Sequence, residues 1–341
     1  MLDVALFSGV RHAAEYGPLL ADTRGVRLVG VYEEPDVEEW MWEASGRVAD
    51  ELGVPLLGEP PRVDVAVVCS EPTRHARLAA GVLRGGGRVL VDKPAATELG
   101  DAADLVRLSG ADGERCAVMS RVLVPGLRRA RSWVDAGHIG LPRHVDVEFL
   151  AHGARFATSV ERPGLVVDPR LSGGGELLNF GGYAIDAIRH LTGCAVVEVH
   201  AETGTLFSAA HAEHEVEDVA VLSLLLERGV TATATVGRVP AAPTSGPNAA
   251  TLRVIGSRGS FAVDDDSPAL LRYGDDGSVT ARSAGGPAAR QGIEAVLDDA
   301  VAAFAAGRPP AYTILDAHWT LSVLDAAYRS AASGTPQHVQ S

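Results

Sequence analysis

Two short stretches hold the residue types that proton-coupled chemistry requires. Asp92-Lys93-Pro94 follows the apolar run Arg88-Val89-Leu90-Val91. A lysine at a strand end inside an apolar crevice is partly desolvated, which lowers its pKa. A fixed ammonium there can hydrogen-bond a ribose and a substrate hydroxyl together, and Pro94 restricts the turn. The second stretch runs from Ser172 through Gly173-Gly174-Gly175-Glu176-Leu177-Leu178-Asn179-Phe180-Gly181-Gly182-Tyr183-Ala184-Ile185 to Asp186. On a helix, Asn179, Tyr183 and Asp186 share one face. An ammonium beside a phenol stabilises the phenolate and draws its pKa down from about 10. Lys93, Tyr183 and Asp186 are therefore the candidate catalytic residues, and Asn179 and Arg121 the candidate substrate contacts. The plainer reading makes Tyr183 a packed helix tyrosine and Lys93 a surface lysine before a proline. Gly181 and Gly182, mid-helix, cost about 1 kcal/mol each relative to alanine. That cost implies close approach of a ligand or of the first domain's backbone.

A second set of residues suits a nucleotide. In open α/β sheets the ligand sits at the carboxyl ends of the strands. Those ends here are Ser8-Gly9, Glu33, Cys69-Ser70 and Asp92-Lys93, and all four are expected to converge. A carboxylate at Glu33 can accept hydrogen bonds from both ribose hydroxyls of an adenosine and repels a 2′-phosphate, so NAD is favoured over NADP. The first turn, Ser8-Gly9-Val10-Arg11-His12, is not G-x-G-x-x-G. Ser8 can still make the tight turn, Val10 hinders backbone approach to a pyrophosphate, and Arg11 compensates with guanidinium bonds. Pro72 and His75 open a helix after Ser70, where His75 either lines the crevice or packs in the core. Pro94 completes the cofactor-binding candidates. His211, His214 and Glu217 have helical metal-ligand spacing but sit in a polar connection, and no metal is expected. Asp264-Asp265-Asp266 reads as a solvated turn.

These residues need elements to position them. From Val4 to Val91, unbroken Val/Leu runs (4–7, 27–32, 63–68, 88–91) alternate with helical stretches (12–22, 38–52, 74–84), the signature of a parallel sheet covered on both faces. Near residue 145 the pattern changes to period two. Val230-Thr231-Ala232-Thr233-Ala234-Thr235-Val236 puts small apolar residues on one face and threonines on the other, and it pairs with Val219–Leu226 through a short turn. Thr251–Ile255 and Ser260–Val263 form a second pair. The expected fold class is α/β: an N-terminal doubly wound Rossmann domain (1–122) and a C-terminal α+β domain (123–341) with a large, mostly antiparallel sheet. One long helix, about 175–191, carries Tyr183. Two amphipathic helices, about 291–306 and 313–332, close the chain, and the last is expected to pack back on the first domain. The segments 150–170 and 238–250 are expected to shape a substrate pocket.

Composition limits the alternatives. The chain has 341 residues, 46% hydrophobic and 22% charged, with net charge −14. It lacks the basic stripe a nucleic-acid surface needs, and binding to an anionic membrane is unfavourable. No apolar run approaches the roughly 20 residues that span a bilayer. Leu2–Phe7 already reads as a strand rather than a signal peptide. Cys69, Cys116 and Cys194 show neither zinc nor disulfide spacing. The expectation is a reduced, cytoplasmic protein that handles small molecules.

Taken in order, the nucleotide-type first turn, Glu33, Ser70-Glu71-Pro72-Thr73-Arg74-His75, Asp92-Lys93-Pro94 and the Gly173–Asp186 motif resemble the Gfo/Idh/MocA oxidoreductases. Val254–Ser260 and Asp325–Ala331 are similar to the family as well. The resemblance implies the two-domain fold above and assembly into homodimers or homotetramers through the open sheet face. It places Lys93 at the lysine of the family's E-K-P motif, with Asp92 in place of the glutamate. Tyr183 falls where the family usually has its catalytic histidine, as in members that carry tyrosine there. Asn179 falls where aspartate is common. His12-Ala13-Ala14-Glu15-Tyr16 is similar to a subset with a histidine-plus-tyrosine first helix.

The expected function is hydride transfer between a nicotinamide cofactor and a sugar, polyol or cyclitol alcohol or its ketone, with Tyr183 as acid/base and Lys93 assisting. Two rivals stand beside it: an imine or enone reductase of the same fold, and a non-catalytic NAD(H)-binding sensor or partner protein.

Overall fold

The computed structural model describes residues 1–153, 162–240, 248–264, 269–274, 279–283 and 288–340. They form two compact units: Met1–Met119 with Arg170–Gly173 and Ile293–His318, and Ser120–Pro169 with Gly174–Gly292 and Trp319–Ser341.

In the first unit β1 (Leu2–Phe7), β2 (Val26–Tyr32), β3 (Leu56–Leu57), β4 (Val65–Val68), β5 (Arg88–Val91) and β6 (Cys116–Val118) form a sheet of order β3-β2-β1-β4-β5-β6. All its pairings are parallel. Helices α1 (Ala13–Asp22), α2 (Glu39–Leu52), α3 (Pro72–Arg84) and α4 (Leu99–Leu108) connect the strands. Val65–Val68 and Val89–Val91 are wholly buried, as strands covered on both faces must be. The register puts the strand ends level: Phe7 pairs with Tyr32 and with Val68, and Val68 pairs with Val91. The residues that follow, Ser8, Glu33, Cys69 and Asp92, thus reach one height at the carboxyl edge, as the sequence implied.

The second unit holds α5 (Pro125–Asp135), β7 (Pro142–His152), α6 (Glu176–Thr192), β8 (Val196–Gly204), β9 (Val219–Leu226), β10 (Thr231–Val239), β11 (Asn248–Gly256), β12 (Gly259–Asp264), β13 (Ala269–Gly274), β14 (Val279–Ser283) and β15 (Gln337–His338). The nine-stranded sheet has the order β14-β13-β12-β11-β7-β10-β9-β8-β15. It is antiparallel except for β7 and β10, which run parallel. The Thr/Ala alternation of β10 is a burial alternation: Ala232, Ala234 and Val236 are buried against α6, and Thr231 is exposed. On the opposite face Val221 and Leu225 of β9 and Ile255 of β11 are exposed. Two helices, α7 (Ala288–Ala306) and α8 (Ile314–Ser333), precede β15.

α6 is delimited by tertiary capping at one end and by glycine at the other. Glu217 accepts the Glu176 N–H on its carbonyl and the Leu177 N–H on its carboxylate, satisfying first-turn donors that lack intrahelical partners. Burial raises the pKa of this carboxyl. A Cβ on Gly175 would come within 2.3 Å of the Glu217 carbonyl oxygen, so glycine is required there. Gly193 closes the helix in the left-handed conformation. The close approach expected at Gly181 is made by a side chain of α8. A Cβ at Gly181 would lie 2.7 Å from Leu324 Cδ2 on α8, whereas one at Gly182 would meet Thr320 at an ordinary 3.7 Å.

Of the two loops expected to shape a pocket, residues 154–161 and 241–247 lie outside the described residues, as do Asp265 and Asp266 of the expected acidic turn.

Candidate functional site

The first turn is built around Ser8, whose backbone has φ of 74°. That is the left-handed region glycine favours. Its hydroxyl donates to Glu33 Oε2 at 2.6 Å, and Ser45 Oγ on α2 donates to the same oxygen at 2.7 Å. The Gly9 N–H donates to Ser45 Oγ at 2.7 Å. A Cβ on Gly9 would lie 2.6 Å from the Ser45 Cα, so the turn closes on α2 only with glycine there. Val10 is 1% exposed. Its side chain is packed rather than presented to solvent. The Arg11 N–H donates to the Cys69 carbonyl. No side chain caps the start of α1 at His12. Uncapped first-turn N–H groups favour an anion there.

Glu33 is almost wholly buried and enmeshed in charge. Besides the two hydroxyls it accepts the Glu34 N–H at 3.0 Å and Arg74 Nη1 at 2.8 Å, both on Oε1. Arg74, on α3, also donates to Glu34 Oε2 and, through Nε and Nη2, to both oxygens of Glu71. Burial works against the charge of Arg74, but Glu71 and Glu33 hold its pKa above the usual value. Arg77 makes a two-pronged pair with Glu34. Beside this network lies a cavity of about 400 Å³ bordered by Glu34, Asp36, Met41, Glu71, Arg74 and Arg77.

Asp92 ties the other strand end to α1. Its carboxylate accepts from Tyr16 OH at 2.8 Å and the Lys93 N–H at 2.8 Å, and pairs with His12 Nδ1 at 2.5 Å. Burial alone would raise its pKa, but the charge of His12 and its hydrogen bond pull it below the ordinary carboxylate value. Lys93 is half-buried, and the Lys93–Pro94 bond is cis. His75, fully buried, joins the turns on either side: Nε2 lies 2.8 Å from the Ser70 carbonyl and Nδ1 2.7 Å from that of Pro94. Burial lowers its pKa, so at neutral pH the imidazole has one proton to share between the two carbonyls. His75 is thus a strut between turns rather than a residue lining the crevice. Pro72 opens α3 as its first residue.

In the second unit, α6 presents Tyr183 to β7. The Tyr183 ring centroid lies 5.1 Å from that of Phe149, and Phe149 lies 5.0 Å from Phe180. The Arg121 guanidinium carbon stands 5.6 Å from the Tyr183 centroid and 5.3 Å from that of Phe149. A guanidinium at this distance is attracted by the ring quadrupole. Asp186 is held between two hydroxyls, Ser120 Oγ at 2.8 Å and Thr320 Oγ1 at 2.6 Å. Asn179 donates to Glu176 at 2.8 Å. Glu176 is buried with Arg238 Nε at 2.6 Å and His211 Nε2 at 3.3 Å. His211 and Glu217 therefore serve separate structural contacts, and among the described residues no cluster of metal-ligating side chains occurs. No helix among the described residues is long and apolar enough to cross a membrane.

Sequence reasoning missed Ser45, Phe149, Phe180, Arg238 and the cross-linking role of Arg74. Only Phe180 had a local signal, three positions before Tyr183 on one helix.

The side chains fit a dinucleotide: an uncapped helix start with Arg11 beside it as donors, and carboxylates at the carboxyl edge as acceptors. Residues 7–120 match the model of an oxidoreductase family with an NAD-binding Rossmann fold, and residues 127–262 match the GFO/IDH/MocA C-terminal domain. An uncharacterized oxidoreductase, YrbE, of Bacillus subtilis (strain 168) is 23% identical over 212 residues, 62% of this chain and 58% of the relative. Among solved structures, an oxidoreductase from Agrobacterium radiobacter in complex with NAD+, L-tartaric acid and magnesium superposes with a TM-score of 0.84 at 18% identity, over 99% of this chain and 98% of that one. GenD2 from gentamicin A biosynthesis, in complex with NAD, has a TM-score of 0.80 at 25% identity over 100% and 97% of the chains. A myo-inositol 2-dehydrogenase from Lactobacillus plantarum has a TM-score of 0.79 at 19% identity over 99% of each. With both of its domains matched by that family's two models, the chain belongs to the GFO/IDH/MocA oxidoreductases, its first domain having the NAD-binding Rossmann fold.

Proposed function

We propose that this protein is an NAD-dependent oxidoreductase acting on the CH–OH group of a sugar, polyol or cyclitol, or on the matching ketone. The observation that carries the reading is Tyr183, half-buried on α6 with its ring against Phe149 and the Arg121 guanidinium 5.6 Å away. A phenol so placed suits a general acid/base for a hydroxyl proton. The bound dinucleotide supplies the hydride chemistry. Arg11 and the start of α1 hold its phosphates, and the turns at Cys69-Ser70 and Asp92-Lys93-Pro94 border it. Tyr183 takes the proton as the alcohol is oxidised and returns it in reduction. Lys93 assists, Asp186 is fixed by Ser120 and Thr320 as an acceptor, and Asn179 and Arg121 contact the substrate.

The ligands bound by neighbours of this fold support the reading: one carries NAD+ with L-tartaric acid, and another is a levoglucosan dehydrogenase with NADH and levoglucosan. Exposed Val221, Leu225 and Ile255 support assembly into a homodimer or homotetramer through the open sheet face. The free thiols Cys69, Cys116 and Cys194 support a reducing compartment, and the cytoplasm is the one proposed.

A second reading, a nucleotide-binding protein without turnover, draws on Ser8 standing in the first turn with its hydroxyl committed to Glu33. Following the NADH absorbance band with a panel of polyols and sugars separates the two. A dehydrogenase changes the band with at least one of them. A sensor binds nucleotide and changes it with none.

A further inference from the structure

An ionised carboxylate offers about four acceptor positions, two on each oxygen. On Glu33 all are taken: Ser8 and Ser45 hydroxyls on Oε2, the Glu34 N–H and Arg74 Nη1 on Oε1. The strand-end carboxylate that sequence assigns to a ribose has no acceptor position left for one. Glu34 accepts Arg77 Nη1 on Oε1, and both Arg74 Nη1 and Arg77 Nη2 on Oε2. It retains one position, on a single oxygen. Glu71 differs. Arg74 Nε donates to its Oε1 at 2.6 Å and Arg74 Nη2 to its Oε2 at 2.9 Å, leaving one position on each oxygen. Two vicinal hydroxyls need that arrangement, one acceptor on each of two adjacent oxygens. Glu71 also borders the cavity of about 400 Å³ beside the carboxyl ends of β2 and β4.

Arg74 is as fully used as Glu33. Its five N–H groups are directed to Glu71, Glu33 and Glu34, with the last, on Nη2, 3.5 Å from Ser8 Oγ. No N–H of this guanidinium is left to bind a phosphate.

We propose that Glu71, not Glu33, receives the ribose hydroxyls of the adenosine half of the cofactor and turns away a 2′-phosphate, with Arg74 as the residue that positions it. This rests on the reading of the protein as a nicotinamide dinucleotide enzyme. Glu33 is then the internal anchor that holds Ser8, Ser45 and Arg74 in place. Replacing Glu71 by glutamine removes the negative charge, keeps a single acceptor oxygen and releases one N–H of Arg74 toward the cavity. The change both weakens the diol contact and creates a phosphate donor.

Calorimetric titration of the full chain with ADP-ribose and with its 2′-phosphate tests this without turnover. In Glu71→Gln, ADP-ribose binding weakens by roughly tenfold and the preference over the 2′-phosphate falls by at least as much. A folded Glu71→Gln variant that keeps the wild-type preference overturns the proposal. If Glu71→Gln does not fold, Glu71→Asp, which keeps the charge but shortens the reach, is read by the same ratio. Wild-type protein that binds neither ligand overturns the cofactor reading itself, an outcome distinct from a preference that survives the substitution.

Discussion

The Ser8 hydroxyl lies 2.6 Å from Glu33 Oε2, and Ser8 is held at a φ of 74° to put it there. An L-residue in this conformation costs roughly 1–2 kcal/mol. The hydroxyl's bond to a buried carboxylate is worth on the order of 1.5–3 kcal/mol. The two nearly offset each other, which explains why serine is tolerated where the fold favours glycine.

The two substitutions at Ser8 therefore separate. Ser8→Ala loses the hydrogen bond and keeps the backbone cost, destabilising by about 2 kcal/mol. Ser8→Gly loses the same bond but recovers about 1 kcal/mol of backbone strain. Urea unfolding at pH 7 should rank wild type above Ser8→Gly and Ser8→Ala lowest. Equal stability of the two variants would show that the left-handed turn carries no cost.

Asp92 gives the fold a pH signature. Its pKa lies below the ordinary value in the folded protein, so its contribution is fully present above the unfolded carboxyl pKa near 3.8 and is lost as pH falls through the lower, folded value. Asp92→Asn should cost about 3 kcal/mol at pH 7, because it breaks a pair whose carboxylate is fully buried. The gap between variant and wild type should be constant from pH 7 to about pH 5 and close only in stronger acid. Denaturant titrations across that range check it. A gap that already closes above pH 5 would show that the Asp92 carboxylate is not held below the ordinary value.

The adjacent glycines of α6 should respond in opposite ways. Gly182→Ala meets ordinary packing distance at Thr320 and should stabilise by about 0.5–1 kcal/mol through helix propensity. Gly181→Ala drives a Cβ to 2.7 Å from Leu324 in a packed core and should destabilise by about 1–2 kcal/mol. Melting temperatures of the two single variants, measured side by side, decide this. Stabilisation by both would mean that α6 and α8 are not held at the distance observed.

Much of this was legible in the sequence because it is local. The Val/Leu runs of β1, β2, β4 and β5, and the Thr/Ala alternation of β10, record burial on two faces and on one. Lys93 and Tyr183 stand in dense motifs, each beside an element that announces itself. Short or weakly patterned elements escaped: β6 has three residues, and β13 and β14 pair across segments with little apolar contrast. The parallel pairing of β7 with β10 is set by partners nearly ninety positions apart, as with Thr231 opposite His144. The same distance in sequence hid the chemistry around Glu33. Nothing near Glu33 signals that Ser8, Ser45 and Arg74 will saturate it, nor does the Gly181-Gly182 pair indicate that a leucine on the last helix fills the space.

The most direct test of the account is turnover in Tyr183→Phe, with nucleotide binding measured in the same preparation. Once a polyol or sugar that changes the NADH band is in hand, the variant should lose roughly 10²-fold or more in kcat, the size of a general acid/base contribution. NADH affinity and melting temperature should stay close to wild type, since the ring remains and its contact with Phe149 is kept. A Tyr183→Phe enzyme that turns over at the wild-type rate would contradict the assignment of that phenol as the proton carrier.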